Sequence, residues 1–152
     1  LSNRIDDPDL DVEPEDFLVL QNAGPASPSG MPEAGYLPLP KKLLAHGIRD
    51  MVRISDARMS GSAFGTVILH VTPEAAIGGS LALVKNGDMI KLSVSEKKLD
   101  LLVSEEEIQE RARQFESQKQ ETGVSRGYEQ LYQEQILQAD QGCDFEFLLP
   151  KE

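Results

Sequence analysis

Met51-Val52-Arg53-Ile54 runs directly into Ser55-Asp56-Ala57-Arg58-Met59-Ser60-Gly61-Ser62-Ala63-Phe64-Gly65, and the chain turns apolar again from Thr66 to Val71. Two β-branched, apolar runs around a loop of small residues read as strand, loop, strand. The loop presents the Ser60 hydroxyl at a strand end with flexible backbone around it. Free N–H groups in such a loop can hold a carboxylate or an oxyanion. On pattern alone, a plain Ser/Gly-rich connector is the simpler reading. The stretch matches neither a phosphate-binding P-loop nor a dinucleotide fingerprint, and Ser60 lacks a G-x-S-x-G elbow. His46 falls on a short helix and His70 at a strand end, and no sequence argument ties either to Ser60.

Upstream, Phe17-Leu18-Val19-Leu20 suits a short buried strand. From Asn22 to Pro40 there are five Pro and three Gly in nineteen residues, which predicts a long irregular loop. Glu33 sits inside it, in Gly30-Met31-Pro32-Glu33. A carboxylate on a Pro-stiffened loop suits a hard cation such as Mg²⁺, but one carboxylate makes no site, and a solvated loop Glu is the simpler reading. Pro40 fits the first turn of a short helix with Leu43 and Leu44 facing inward and Gly47 as its stop. Residues 1–16, with Asp6-Asp7-Pro8-Asp9 and Pro14, read as an extended acidic linker or arm rather than a core element. They start without Met, as though cut from a longer chain.

Downstream, Pro73 to Gly79 reads as a turn or one short helical piece. Leu81–Val84 and Met89–Val94 flank Lys85-Asn86-Gly87-Asp88, a hairpin signal. Leu99–Val103 predicts a further strand. Ser104 and Glu107 fit a capping box, with Val103 and Ile108 as its staple and Ile108, Ala112 and Phe115 as an apolar stripe. Gly123 to Gly127 is expected to break this helix. Tyr128, Leu131, Tyr132, Gln135 and Ile136 suggest a second one ending near Gly142, and Cys143–Leu148 a terminal strand or docked arm. The Tyr128/Tyr132 pair reads as core or interface. The sum is a β-rich α/β or α+β unit with two C-terminal helices.

The 152 residues allow one ordinary domain with a real core. The net charge of −11 is unevenly spread: residues 1–16 carry seven acids and one base, residues 105–152 twelve and five, and the middle seven and nine. Such acidity argues against nucleic acid and anionic membrane as partners, while the middle segment would not repel a small anion. No apolar run approaches the roughly 20 residues of a membrane span, and the opening lacks a signal-peptide core. One Cys excludes an internal disulfide framework and any cysteine-cluster metal site made by this chain alone; Cys143 reads as a packed small residue. These bounds point to a cytoplasmic, reducing compartment.

Several separated motifs together carry a resemblance. Ser55-Asp56-Ala57-Arg58-Met59-Ser60-Gly61, His70-Val71-Thr72-Pro73-Glu74-Ala75-Ala76, and Gly78-Gly79-Ser80-Leu81-Ala82-Leu83-Val84 follow one another in order. With Gly30-Met31-Pro32-Glu33 upstream and Asn86-Gly87-Asp88 after, they resemble the C-terminal part of the dihydroxy-acid/6-phosphogluconate dehydratases, from about Arg4 to the end. Ala57, where the branched-chain enzymes usually show Gly, and the tail from Arg126-Gly127-Tyr128 to Gly142-Cys143-Asp144-Phe145 are closer to the sugar-acid (pentonate) branch.

The resemblance implies that residues 17–152 form a swivelling β/β/α domain, with a β-rich, barrel-like core and flanking helices. Residues 1–16 would be an arm from an N-terminal catalytic domain, the partner that carries an iron–sulfur cluster, of the 2Fe-2S type, and most Mg²⁺ ligands. It implies elimination of water from a small 2,3-dihydroxy sugar acid to a 2-keto-3-deoxy acid by a homo-oligomeric enzyme, the isolated domain being inactive. By motif position Ser60 matches the base that takes the C2 proton and Glu33 the Mg²⁺ ligand of this domain. Gly61, Asp56 and Arg58 would line the substrate pocket, the last two orienting the loop. The alternatives are a dihydroxy-acid dehydratase of branched-chain amino-acid synthesis and a non-catalytic binding or interaction module.

Overall fold

A computed structural model of the chain describes residues 4–34, 37–118 and 126–150. Its centre is a three-stranded parallel sheet of β1 (Leu18–Leu20), β2 (Arg53–Ser55) and β3 (Val67–Ile68), with β2 in the middle. Leu18 pairs with Arg53, Val19 with Ile54 and Leu20 with Ser55, while Arg53 faces Val67 and Ile54 faces Ile68. A central parallel strand is covered on both faces, and all three β2 residues are buried. Ile54, at 1% exposure, packs with Ala75 and Leu81 and draws in Phe17, Val19 and Ile68. The strands fall where the apolar runs predicted them, each shorter than its run.

Arg53 is the anomaly of β2, a charged side chain 3% exposed. It is accommodated because its guanidinium donates to the carbonyls of Leu37 (3.2 Å) and Phe64 (2.6 Å) and to Asp50 Oδ1 (3.0 Å). Gly65, at φ +93°, lies so close that a Cβ there would collide with Asp50 and Arg53. Glycine is required on both counts. Asp50 also accepts from the Thr66 N–H and hydroxyl, so one carboxylate ties β3 to the approach to β2.

Helix α1 (Lys41–Ala45) follows Pro40 and stops before Gly47, at φ +88°, as predicted. Leu43 buries against Met51 and Val12. Val12, 5% exposed, and Ile5, 6%, are therefore core residues, and the expectation that this acidic opening stays out of the core is corrected. The apolar residues between its acids pack inward, and Lys42 Nζ holds the Leu10 carbonyl while Lys41 pairs with Asp6.

The predicted hairpin is also corrected. Residues Ser80–Leu83 form a 3-10 turn, and the antiparallel pair is β4 (Ile90–Ser93) with β5 (Lys98–Leu101). The Asn86-Gly87 turn exists, with Asp88 N–H donating to the Lys85 carbonyl and Gly87 at φ +89°. It joins a 3-10 turn to a strand, and that turn starts directly after Gly79, where a Cβ would collide with the Pro73 carbonyl. A turn motif specifies a reversal, not the elements it joins.

Helix α2 (Glu105–Gln118) starts at Ser104, whose Oγ accepts the Glu107 N–H at 3.3 Å. Only half the capping box forms, since the Glu107 carboxylate turns to Arg111 Nε at 2.7 Å. Arg111, absent from the predicted stripe, is the buried residue of α2; it donates to the Leu83 carbonyl and to both oxygens of Asp88. The predicted break at Gly123 lies outside the described residues. Helix α3 (Gly127–Gln135) ends earlier than expected, because Leu137 N–H bonds the Asp144 carbonyl and Ile136 bridges Phe145. The tail thus docks by one bridge and closes in a 3-10 turn at Glu146–Leu148. The architecture is mixed α/β. Among the described residues the parallel and antiparallel strands form separate sheets and close no barrel, which corrects the barrel-like core.

Candidate functional site

Ligands of open α/β sheets gather at the carboxyl ends of parallel strands. Here β1 leads into Gln21 and the loop bearing Glu33, β2 into Asp56–Ser60, and β3 into His70. Asn22 (φ 59°) and His70 (φ 55°) mark sharp exits from the sheet.

Asp56 organises this edge. Fully buried, it accepts the N–H groups of Asn22 (3.2 Å), Ala23 (3.0 Å) and Ala75 (2.9 Å). A carboxylate bonded by backbone donors on separate segments fixes their relative positions. Asp56 reaches no solvent and acts as an orienting group. Ser55 assists, its hydroxyl donating to the Leu20 carbonyl at 2.8 Å and accepting the Ala57 N–H at 2.9 Å.

The exposed Arg58 comes next. Its Nε donates to the Met31 carbonyl at 3.1 Å, its own carbonyl accepts the Ala34 N–H at 3.0 Å, and its backbone forms a parallel bridge with Glu33. Glu33 is thereby bridged to Arg58, two residues before Ser60, on the same edge. It is exposed, and no hydrogen bond or ion pair engages its carboxylate among the described residues. Ser60 is half-buried, its Oγ 3.0 Å from Ser62 Oγ and accepting the Ser62 N–H at 3.4 Å. Gly61 faces open space. The structure brings Glu33, Arg58, Ser60 and Gly61 to one rim and sets Asp56 behind it.

A serine hydroxyl is too weak an acid to ionise unaided, and Ser60 meets no base among the described residues. His46 Nδ1 lies against the Lys42 carbonyl (2.7 Å), and His70 joins the edge through its N–H to the Ala57 carbonyl. Among the described residues, no three His, Cys, Asp or Glu groups come together to hold a metal. Glu33 can supply one hard oxygen ligand. Cys143 does not fit a cluster: it lies 3.5 Å from Met31 Sδ, and burial, reinforced by the Glu74 charge, pushes its thiol pKa up, away from the thiolate a metal needs. Clefts of about 330 and 340 Å³ lie elsewhere, under Pro14–Phe17 and under the β4–β5 hairpin. The rim of Ser60 and Glu33 is an open face.

Glu74 escaped the sequence reading as a site residue. Fully buried, it accepts Ala26 N–H at 2.6 Å and Gln138 Nε2 at 2.8 Å, both on Oε1. The signal was an acid set between Pro73 and the apolar Ala75-Ala76-Ile77. Burial also raises the Tyr132 phenol, and this ring packs edge-on against Phe145 at 5.8 Å, in keeping with a packing role. No helix among the described residues is long and apolar enough to cross a membrane.

The family model described as "Dihydroxy-acid/6-phosphogluconate dehydratase C-terminal" matches residues 1–143. The chain is 50% identical over 148 residues to a 6-deoxy-6-sulfo-D-gluconate dehydratase of Pseudomonas putida, covering 97% of this chain and 25% of that protein. It is 48% identical over 145 residues to an L-arabinonate dehydratase of Rhizobium leguminosarum bv. trifolii, covering 95% and 25%. With a dihydroxy-acid dehydratase of Pyrococcus abyssi the identity is 38% over 136 residues, covering 89% and 24%. The chain thus spans about a quarter of the length of these relatives, all named as dehydratases, that is, hydro-lyases. With the family's motifs gathered on one sheet edge and its model matched over nearly the whole length, the chain belongs to the dihydroxy-acid/6-phosphogluconate dehydratase family, as its C-terminal domain.

Proposed function

We propose that this chain serves an iron–sulfur, Mg²⁺-dependent sugar-acid dehydratase that removes water from a 2,3-dihydroxy acid to give a 2-keto-3-deoxy acid. The observation that carries this reading is the bridge between Glu33 and Arg58, which sets on one exposed edge the Ser60 hydroxyl and a carboxylate that has no partner among the described residues. The sugar-acid branch is favoured over dihydroxy acids of branched-chain synthesis by the higher identity to the sulfogluconate and arabinonate enzymes. In this reading the domain has the family's swivelling β/β/α fold. Its loop edge faces the N-terminal domain, and Phe64, 74% exposed beside that edge, suits a face covered by a partner.

Glu33 would be this chain's ligand to Mg²⁺, a hard cation that steadies the substrate carboxylate and the developing enolate. Ser60 Oγ, as the alkoxide, would take the C2 proton; the C2–H pair becomes the C2=C3 bond as the C3–O bond breaks, and the departing hydroxide takes up that proton from Ser60 and leaves as water. The enol then takes a proton at C3, gives up its O–H proton and becomes the ketone. Of the N–H groups after Ser60, that of Ser62 donates to Ser60 Oγ and that of Ala63 to the Ser60 carbonyl, so in this reading the Gly61 N–H would hold a carboxylate oxygen. Ser60 alone is inert, in keeping with an isolated domain that does not turn over. The cluster would sit on the N-terminal domain, since Cys143 is no ligand.

The test is a panel of pentonates, hexonates and branched dihydroxy acids on the full-length protein. Turnover of sugar acids is expected. Turnover of branched acids alone would move the protein to the amino-acid branch, and no turnover would favour a non-catalytic module. In the same protein Glu33→Gln should weaken Mg²⁺ binding, and unchanged affinity by titration calorimetry would remove Glu33 as a ligand.

A further inference from the structure

One feature behind the site is out of keeping with a merely structural role. Glu74 is 0% exposed, yet among the described residues its Oε2 meets no donor, while Oε1 takes two. Buried polar atoms are almost always paired, and leaving one unpaired destabilises the fold. A glycine makes room for it: a Cβ on Gly24 would collide with this oxygen. The arrangement is therefore shaped around a carboxylate at this position.

What Glu74 joins explains why. Ala26, its backbone donor, sits in consecutive turns in which Ser27 N–H bonds the Gly24 carbonyl and Gly30 N–H bonds the Ser27 carbonyl. Those turns lead to Met31, whose carbonyl Arg58 holds, and then to Glu33. Its other donor, Gln138, lies just past α3 and also accepts the Glu74 N–H at 2.9 Å, so the two side chains interlock. The same C-terminal segment backs the loop twice more. The Tyr132 ring lies over Gly30, and the Cys143 thiol touches the Met31 thioether.

We propose that Glu74 and Gln138 are positioning residues: they lock the C-terminal segment behind the Gly24–Glu33 loop and so hold Glu33 where a metal can bind. The proposal rests on the reading of Glu33 as a Mg²⁺ ligand. The carboxylate is favoured over an amide because charge-assisted hydrogen bonds are shorter and stronger. Residues that orient a metal ligand typically change affinity about 10–100-fold when removed.

The test measures Mg²⁺ affinity and melting temperature together on the full-length enzyme, well below the melting point of each variant. Gln138→Ala, a change at a half-buried position, and Glu74→Ala should each weaken Mg²⁺ binding by about tenfold or more. Glu74→Gln, which keeps one acceptor oxygen, should restore much of it. The double variant Glu74→Ala/Gln138→Ala should bind Mg²⁺ no more weakly than the worse single one, because both break one interlock. Lowered melting temperatures with unchanged Mg²⁺ affinity in the folded protein would overturn the proposal and leave Glu74 a stability residue. Wild-type enzyme that binds no Mg²⁺ would instead overturn the metal reading beneath it.

Discussion

Two regions of this domain each turn on a buried charge, and they use it in opposite ways. At the carboxyl edge of the parallel sheet, Asp56 takes three backbone N–H groups from two segments, and Arg58, Ser60 and Glu33 present polar groups in front of it. In the hairpin and α2, Arg111 donates to the Leu83 carbonyl, Asp88 and Glu107, and these side-chain charges are spent on one another. The first arrangement fixes backbone and leaves side chains available. The second closes side chains on side chains and leaves nothing for a ligand. A chemical edge needs the former, because groups that must meet substrate cannot also hold the fold together.

The sharpest way to break this contrast is Ser60→Ala in the full-length enzyme. Removing a general base should cost about 10²–10⁴-fold in kcat with melting temperature unchanged, since among the described residues the hydroxyl bonds only Ser62. Comparable activity in the variant would take the base role from Ser60. Asp56→Ala should instead affect both properties. Each donor left unsatisfied costs about 1–3 kcal/mol, so a loss of about 3 kcal/mol or more in denaturant unfolding is expected, with activity falling as the loops part. A variant as stable as wild type would show that the edge is held by other means.

Arg111→Met tests the other region. It should lower the melting temperature by less than Asp56→Ala and leave kcat intact; a selective loss of kcat would tie α2 to the chemistry. The smallest effect concerns pH. Hydrogen bonds from Arg111 hold the Asp88 carboxyl below its usual range, against the opposing pull of burial. A carboxyl depressed in the folded state stabilises fully above its unfolded value near 4 and loses that contribution as pH falls through the folded value. Melting temperature should therefore decline below about pH 4, and Asp88→Asn should flatten part of that decline. The remaining slope includes Asp50, which partial burial pushes up but bonds from Thr66 and Met51 hold below its usual value. An unchanged acid limb in Asp88→Asn would mean the pair contributes nothing to acid stability.

Much of the outline was legible along the chain. The apolar runs around 17–20, 51–54 and 66–71 located the parallel strands, Pro40 and Gly47 bounded α1, and Ser104 placed the start of α2. These are local properties of side-chain size, backbone freedom and capping, which neighbouring residues settle among themselves. The motif order likewise located Glu33 and Ser60. Pairing was not legible: the Asn86-Gly87 turn suggested a hairpin between the wrong segments, because residues 80–83 before it wind into a 3-10 turn and β4 pairs with β5 instead. The acidic opening looked like a free arm because charge outweighs apolar content there, whereas burial of Ile5 and Val12 depends on a distant surface being present to receive them.

The amino-acid order by itself determined the family and the loop-bearing strands, and it put Glu33 and Ser60 on the loops that follow them. Only the tertiary structure decided that Asp56 stands behind the edge rather than on it, that Arg58 carries the bridge to Glu33, and that Glu74 meets Gln138 from 64 residues away. The reason is physical. A residue's chemistry is written in its side chain, but whether that side chain faces water or ties backbone together depends on segments that meet only when the chain folds.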